Sequence, residues 1–418
     1  MEPTTHVVTV LPRKPGPRAE PIAPNLVASL VHPDRTAINW QARFSPRGDR
    51  LFTVGGAPSP VVQVWDVASG KEIRRIETLL PRMSQVRLTP DWKALYVPVR
   101  NIEVKTVEQG GKKRHQLQFS GQIRIWDLAS GKEREPLPLE AGWAPAYGEI
   151  DPTGRYLVCT EQGQQARRMV KTVVWELATS KKTLLCQDYA LEALFPYGQV
   201  LVVGQGSGVL KLLQLSTGKE LAKARCPDSN IGAVAPDGSV FAVSRWGKST
   251  LEVLFLDGKT LQERGKLVGK GNANGRPWMG GRFTPDGKRF VIVDKVGNVL
   301  AWDVAGQKLE RTLCTLDNPQ PPDTRTSWCR QALAFSPDSK TVAVGWSPKW
   351  DEGVGIEMAP DPQDVPQPRV SLIPLDGSAP ARVLVAPHGY VGSLAFSPDG
   401  RMLAFGGTGA VHLFDLSR

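Results

Sequence analysis

The chain has 418 residues, 41% apolar and 22% charged, with 52 lysines and arginines against 41 aspartates and glutamates, a net charge of +11. Such a chain can bury a large core and is not a disordered polyelectrolyte, and 41 glycines and 35 prolines are too much punctuation for a bundle of long helices. No run reaches the roughly 18 apolar residues of a membrane-spanning helix, and five cysteines without CxxC spacing suggest neither a disulfide framework nor a zinc site, so a reduced, cytoplasmic protein is expected.

Residues 1–24 are Pro-rich, carry Arg13, Lys14 and Arg18, and lack the apolar core of a secretory leader; they read as a flexible basic tail. Asn25–Val31 has the pattern of a strand. One phrase then recurs through the chain: FSPRG at Phe44–Gly48, LTPDW at Leu88–Trp92, IDPTG at Ile150–Gly154 and FPYG at Phe195–Gly198. It continues as APDG at Ala235–Gly238, FTPDG at Phe283–Gly287, FSPDS at Phe335–Ser339 and FSPDG at Phe396–Gly400. A unit of about forty-odd residues has the length of a propeller blade.

Each unit has one grammar. An apolar run precedes the phrase and an alternating run follows it, both strand-like. Between them proline presets the first turn dihedral, aspartate bonds back to the backbone and glycine takes positive φ, so the phrase is a hairpin turn. A third strand ends in Val64-Trp65-Asp66, Ile125-Trp126-Asp127, Val174-Trp175-Glu176, Ala301-Trp302-Asp303 or Leu413-Phe414-Asp415, with weaker copies at Leu213-Gln214-Leu215, Phe255-Leu256-Asp257 and Ile373-Pro374-Leu375-Asp376. A second tight turn (Ser69–Lys71, Ser130–Lys132, Thr217–Lys219, Asp257–Lys259) and a polar fourth strand complete the unit.

Four antiparallel strands per unit, none able to bury its faces alone, predict an all-β fold: a β-propeller of four-stranded blades, eight if every copy counts. Seven blades result if Ala193–Arg225 or Ala233–Leu267 is absorbed irregularly. Over residues 25–418 the chain resembles the WD-repeat propeller family, with Trp-Asp ending the third strand and SPDG in the first turn. It departs from the family in lacking most of its hydrogen-bonded histidine set: His388 stands at the histidine position, but the last hairpin has Thr408 where aspartate is expected, so apolar packing must carry more of the stability. The eighth unit ends after its third strand, and Asn25–Val31 is the spare strand that would seal the ring and remove an exposed edge.

Alternating strand direction puts the first and third turns of every blade on one face, and the second turn and blade connections on the other. The first face has only short turns. The second takes the insertions Arg100–Gln122, Gln162–Lys171, Asp317–Cys329 and Ser347–Arg369, and long loops on a rigid scaffold are where recognition usually resides. Residues just before each inner strand, Trp143, Tyr189, Arg276, Trp278, Trp328, Arg330 and Tyr390, are therefore the expected protein- or peptide-binding set, aromatic and arginine side chains being the commonest hot spots. The bland alternative is that several pack between blades. A basic patch of Lys112, Lys113, Arg114, Arg167, Arg168 and Lys171 offers a second reading, attraction of nucleic acid or an acidic partner.

Catalytic motifs are thin. The five histidines make no HExxH pair, GKST at Gly247–Thr250 lacks the earlier P-loop glycine because Ala242 stands there, and Gly204–Gly208 lacks GxSxG spacing. No cofactor, metal site or enzymatic activity is expected. A propeller enzyme remains the third reading, since carboxylates from different blades meet in a channel without being neighbours in sequence.

Overall fold

A computed structural model describes residues 25–31, 39–55, 61–78, 86–109, 112–163, 169–204, 207–226, 229–246, 250–270, 281–293, 297–316, 332–346, 368–386, 391–407 and 409–417. These form eight four-stranded antiparallel sheets, each a blade, and the seven-blade alternative falls. Blade 1 comprises Asn39–Phe44, Arg50–Gly55, Val61–Asp66 and Glu72–Glu77; blade 2, Arg87–Leu88, Ala94–Gln109, Lys112–Asp127 and Glu133–Pro138. Blade 3 comprises Trp143–Ile150, Tyr156–Gly163, Val170–Glu176 and Lys181–Gln187; blade 4, Tyr189–Phe195, Gln199–Gly204, Val209–Gln214 and Glu220–Arg225. Blade 5 comprises Ser229–Val234, Val240–Trp246, Thr250–Asp257 and Glu263–Lys270; blade 6, Arg282–Phe283, Arg289–Val293, Asn298–Asp303 and Lys308–Thr315. Blade 7 comprises Ala332–Phe335, Thr341–Trp346, Arg369–Pro374 and Arg382–Val385; blade 8, Ser393–Phe396, Met402–Gly406 and Ala410–Asp415, with Leu26–Val31 as its outer strand.

The core is divided among the seams between blades, and the third-strand motif explains how. Trp65 packs against blade 8, Trp126 against blade 1, Trp175 against blade 2 and Trp302 against blade 5, so this side chain always reaches back to the preceding blade. The weaker copies do the same work with Leu213, Leu256, Ile373 and Phe414. Position, rather than the indole, is what the repeat requires. At the blade 5–6 seam Trp302 stacks on Phe255 with centroids 4.5 Å apart. Each such side chain, fully buried, contributes about 1.5–3 kcal/mol by area alone. Among the described residues, one limb of the polar set expected from the resemblance is seen, Trp65 Nε1 donating to Thr53 Oγ1 at 3.0 Å.

The SPDG turns are organised by a group the sequence reading passed over, the hydroxyl before the proline. Ser336 Oγ accepts from Thr341 N at 2.9 Å and donates to Asp338 Oδ1 at 2.6 Å; Thr284 Oγ1 repeats this with Arg289 N and Asp286, and Ser397 with Met402 N and Asp399. The aspartate takes the next free amide, Lys340 N to Asp338 Oδ1 at 3.0 Å. The turn glycines have positive φ and lie against the turn proline of the preceding blade: a Cβ at Gly154 would stand 3.2 Å from Pro90 Cδ, one at Gly238 3.2 Å from Pro196 Cδ, and one at Gly48 3.4 Å from Pro398 Cδ. The aspartate of the Trp-Asp pair caps the third turn, Asp66 Oδ1 accepting from Ser69 N at 2.8 Å and Asp127 Oδ1 from Ser130 N at 2.8 Å.

Closure follows the expected route. Leu26–Val31 runs antiparallel to Ala410–Asp415, from Leu26 opposite Phe414 to Val31 opposite Ala410. Asn25 Nδ2 donates to Asp415 O at 2.9 Å, and Ser29 Oγ lies 2.9 Å from Nδ1 of the fully buried His412. The tail predicted at 1–24, together with His388 and Thr408, lies outside the described residues.

Two insertions need correction. Arg100–Gln122 is no irregular loop: the second and third strands of blade 2 pair without a break from Ala94 opposite Asp127 to Gln109 opposite Lys112. In the second insertion, Glu161 pairs with Lys171 and Gln162 with Val170 inside blade 3, so its ends belong to the sheet.

Candidate interaction face

The first strand of blade 2 ends its pairing at Tyr96, and the fourth strand reaches only to Gln122 opposite Pro138. Beyond those points the two long strands continue alone as a ribbon on the loop face. Ile102, Val104 and Val107 among polar residues supply the strand propensity, and Val104 is 62% exposed. The ribbon is anchored at its base. Phe119 is buried beneath the Arg100 guanidinium, 4.7 Å from its centroid, and Gly121 is so close to Pro145 of blade 3 that a Cβ would stand 2.5 Å from its Cδ. The turn end carries Lys112, Lys113 and Arg114 in pairing with Gln109, Glu108 and Val107.

Beside the ribbon, blades 3 and 4 repeat one device. Trp143 opens its strand opposite Gly163, which closes the neighbouring strand, and Tyr189 stands likewise opposite Gly204. Each ring lies where a glycine side chain would be, 3.3 Å from a Cβ built at Gly163 and 3.1 Å from one at Gly204. A lysine from the third strand caps each ring, Lys171 Nζ 4.1 Å from the Trp143 centroid and Lys211 Nζ 4.7 Å from that of Tyr189. Thr172 Oγ1 joins the two by donating to Tyr189 O at 2.9 Å. Both rings remain half-buried.

The lysines are held by carboxylates. Lys171 Nζ donates to Glu140 Oε2 at 2.7 Å and stands 3.3 Å from Glu161 Oε2; Lys182 Nζ lies 2.9 Å from Glu161 Oε1 and 3.3 Å from Glu140 Oε1. Glu161 is fully buried. Glu140 has its pKa lowered, first by the hydrogen bond from Lys171. Lys171 is therefore misplaced in the expected basic patch: with 7% of its side chain exposed it is an internal ion-pair partner, because Glu161 faces it across the ladder. Lys211, paired to Glu220 at 3.1 Å, was missed by sequence reasoning, although a lone lysine in an otherwise apolar third strand was its signal.

Of the other expected residues, Arg276, Trp278, Trp328, Arg330, Tyr390, Arg167 and Arg168 lie outside the described residues. Trp143 and Tyr189 are brought together on adjacent blades. Towards the channel the first strands present a mixed cluster rather than paired carboxylates. Arg87 donates to Gly148 O at 2.7 Å and pairs with Glu149 at 2.8 Å, and Tyr147 OH donates to Glu149 Oε1 at 2.6 Å. Burial raises the Tyr147 pKa, as it does that of Glu192, whose Oε1 accepts from Gly232 N at 2.9 Å. These contacts cross blade seams. Among the described residues no group of three histidine, cysteine, aspartate or glutamate side chains could hold a metal, and no helix is long and apolar enough to cross a membrane.

The model of the WD domain, G-beta repeat, matches residues 379–415, which hold the last turn, its flanking strands and the closing Phe414-Asp415. The chain is 23% identical over 265 residues to Autophagy-related protein 16 of Arabidopsis thaliana, a match over 63% of this chain and 47% of that protein, so it spans about half the length of that relative. Its fold is similar to that in the crystal structure of the C-terminal WD40 domain of Sif2, with a TM-score of 0.58 at 11% identity, covering 93% of this chain and 97% of the other. The chain thus has the fold of a WD40 propeller, with eight blades seamed by the third-strand side chain, and carries a match to the WD-domain repeat in the last of them.

Proposed function

We propose that this propeller is a non-catalytic scaffold that binds a protein or peptide segment on its loop face. The observation that carries this is the blade 2 ribbon standing beside the Trp143 and Tyr189 rings, each backed by a glycine and capped by a paired lysine. A two-stranded ribbon is marginal alone in water, and a partner strand or side chain laid against it covers otherwise open backbone and apolar surface. Preorganised aromatic faces offer contact area at little entropic cost. A scaffold role is also supported by likeness to the WD-repeat family and to Autophagy-related protein 16. Arg276, Trp278, Trp328, Arg330 and Tyr390 join the proposed surface through their chain positions between blades.

The experiment is affinity capture with three baits: the intact chain, a variant with Asn101–Ser120 replaced by an Asn-Gly turn and Trp143→Ala and Tyr189→Ala added, and a turn-face variant, Arg47→Gln. The first variant should lose partners that the second keeps. Equal capture by all three would remove the loop face from consideration. Salt reports the alternative chemistry: retention on nucleic acid that falls steeply with added salt would replace the protein-partner reading, because phosphate contacts release counterions.

A further inference from the structure

Past Tyr96 the second strand of blade 2 has one paired edge and one open one. The third strand runs beside it as far as Gln109, and among the described residues no strand pairs with its other side. Residues 100, 101 and 103–106 are all exposed, Val104 by 62%. An open edge of this length is a template for another strand, and proteins usually blunt one with proline, a bulge or unpaired charge. Residues 99–109 contain no proline, and their register against the third strand runs without a bulge.

Their charges are arranged about a centre. One place either side of Val104 stand Glu103 and Lys105, four places either side stand Arg100 and Glu108, and no other residue from 99 to 109 is charged. A second copy of the same strand, laid antiparallel with Val104 opposite Val104, therefore sets Glu103 against Lys105 and Arg100 against Glu108, each twice by symmetry, with no like charges opposite. A slip of one residue leaves every charge facing an uncharged side chain. A slip of two sets Glu103 on Glu103 or Lys105 on Lys105, which cross-strand repulsion opposes. The lengths also fit. At about 3.4 Å per residue Val104 stands roughly 27 Å beyond Tyr96, so the paired ribbons hold the two rings apart, and each Gln109 ends opposite Val99 of the other copy, short of its ring. Two ribbons joined in this way make a four-stranded sheet, with the strand number that a lone ribbon lacks for stability in water.

We propose that this edge makes the protein a homodimer, residues 99–109 of two copies pairing antiparallel about Val104 and merging the two blade 2 ribbons into one sheet. This rests on the loop-face reading, of which it names the ribbon's partner; the Trp143 and Tyr189 rings take no part.

The test is sedimentation velocity of the intact chain over a concentration series reaching the high micromolar range. The wild type should pass from monomer to dimer within it. Glu103→Lys and Lys105→Glu, both at exposed positions, should each weaken the dimer about tenfold, because each sets like charges opposite at two places. Mixed in equal amounts, the two variants should associate as tightly as the wild type, since each supplies the charge that the other lacks, and the double variant Glu103→Lys, Lys105→Glu should dimerise by itself. A wild type that stays monomeric, single variants that dimerise undiminished, or a mixture that stays monomeric would each overturn the pairing. The Trp143→Ala, Tyr189→Ala variant should dimerise like the wild type even where it captures fewer partners, so a failed dimer and a failed capture are read separately.

Discussion

The two faces of the ring are built on opposite plans. On the turn face the same few atoms recur in most blades: a hydroxyl that takes a backbone amide, an aspartate beside it, and a glycine seated on the neighbour's proline. Among the described residues of the loop face no motif recurs so widely. Its main fixture is one four-membered ion network, Glu140, Lys171, Glu161 and Lys182, at the seam of blades 2 and 3, with a paired ring-and-lysine device in blades 3 and 4. Repetition spreads stability in small, local, replaceable parts, whereas the unrepeated side concentrates it and frees the rest of that surface to vary.

Substitutions of three kinds probe that contrast. The largest effect belongs to the concentrated network: Glu161→Ala should cost about 2–3 kcal/mol in chemical denaturation, less than the roughly 3–5 kcal/mol of an isolated buried pair, because Glu140 still receives both lysines. A loss under about 0.5 kcal/mol would show that the network orders the face without stabilising it. The distributed side should yield less per site. Ser336→Ala removes the acceptor of Thr341 N and the donor to Asp338, and about 1 kcal/mol is expected, with Ser397→Ala matching it in blade 8. Unequal losses at the two sites would break the claim that the turns are equivalent.

The smallest effect per residue is a pH response. Asp49, Asp338 and Asp399 have pKa values below the ordinary 3.8, first because Ser45, Ser336 and Ser397 donate to them. A carboxyl whose folded pKa is depressed contributes its stability in full above the unfolded pKa and loses it as pH falls through the folded one. The unfolding midpoint should therefore drop as pH falls below about 4, and the drop should be shallower in an Asp338→Asn, Asp399→Asn variant. An identical acid profile would assign the acid loss to other carboxylates.

What could be read from the sequence follows the same division. Turn chemistry is local, so proline, with aspartate or glycine in most copies, announced every blade, and the closing strand was visible because Asn25–Val31 had no other partner to find. The hydroxyl's role was in plain view as the Ser or Thr before the proline at Ser45, Thr89, Thr284, Ser336 and Ser397. The ribbon was hidden because its strands are polar on both sides, the alternation that normally marks a strand having no core to point at. Lys171 was misassigned because its chain neighbours are Arg167 and Arg168, while what decides its fate, the buried Glu161, faces it from the neighbouring strand.

The bond from Asn25 to Asp415 joins residues 390 apart, and the strand that it fastens belongs to the last sheet while lying at the start of the chain. During synthesis every other blade can form as it emerges, but this one waits until Ala410–Asp415 has been made. Until then the nascent ring is a split washer with two unmated edges, and Leu26–Val31 must stay available while everything between the two strands is made, which is the window in which a chaperone or a second nascent copy competes for it.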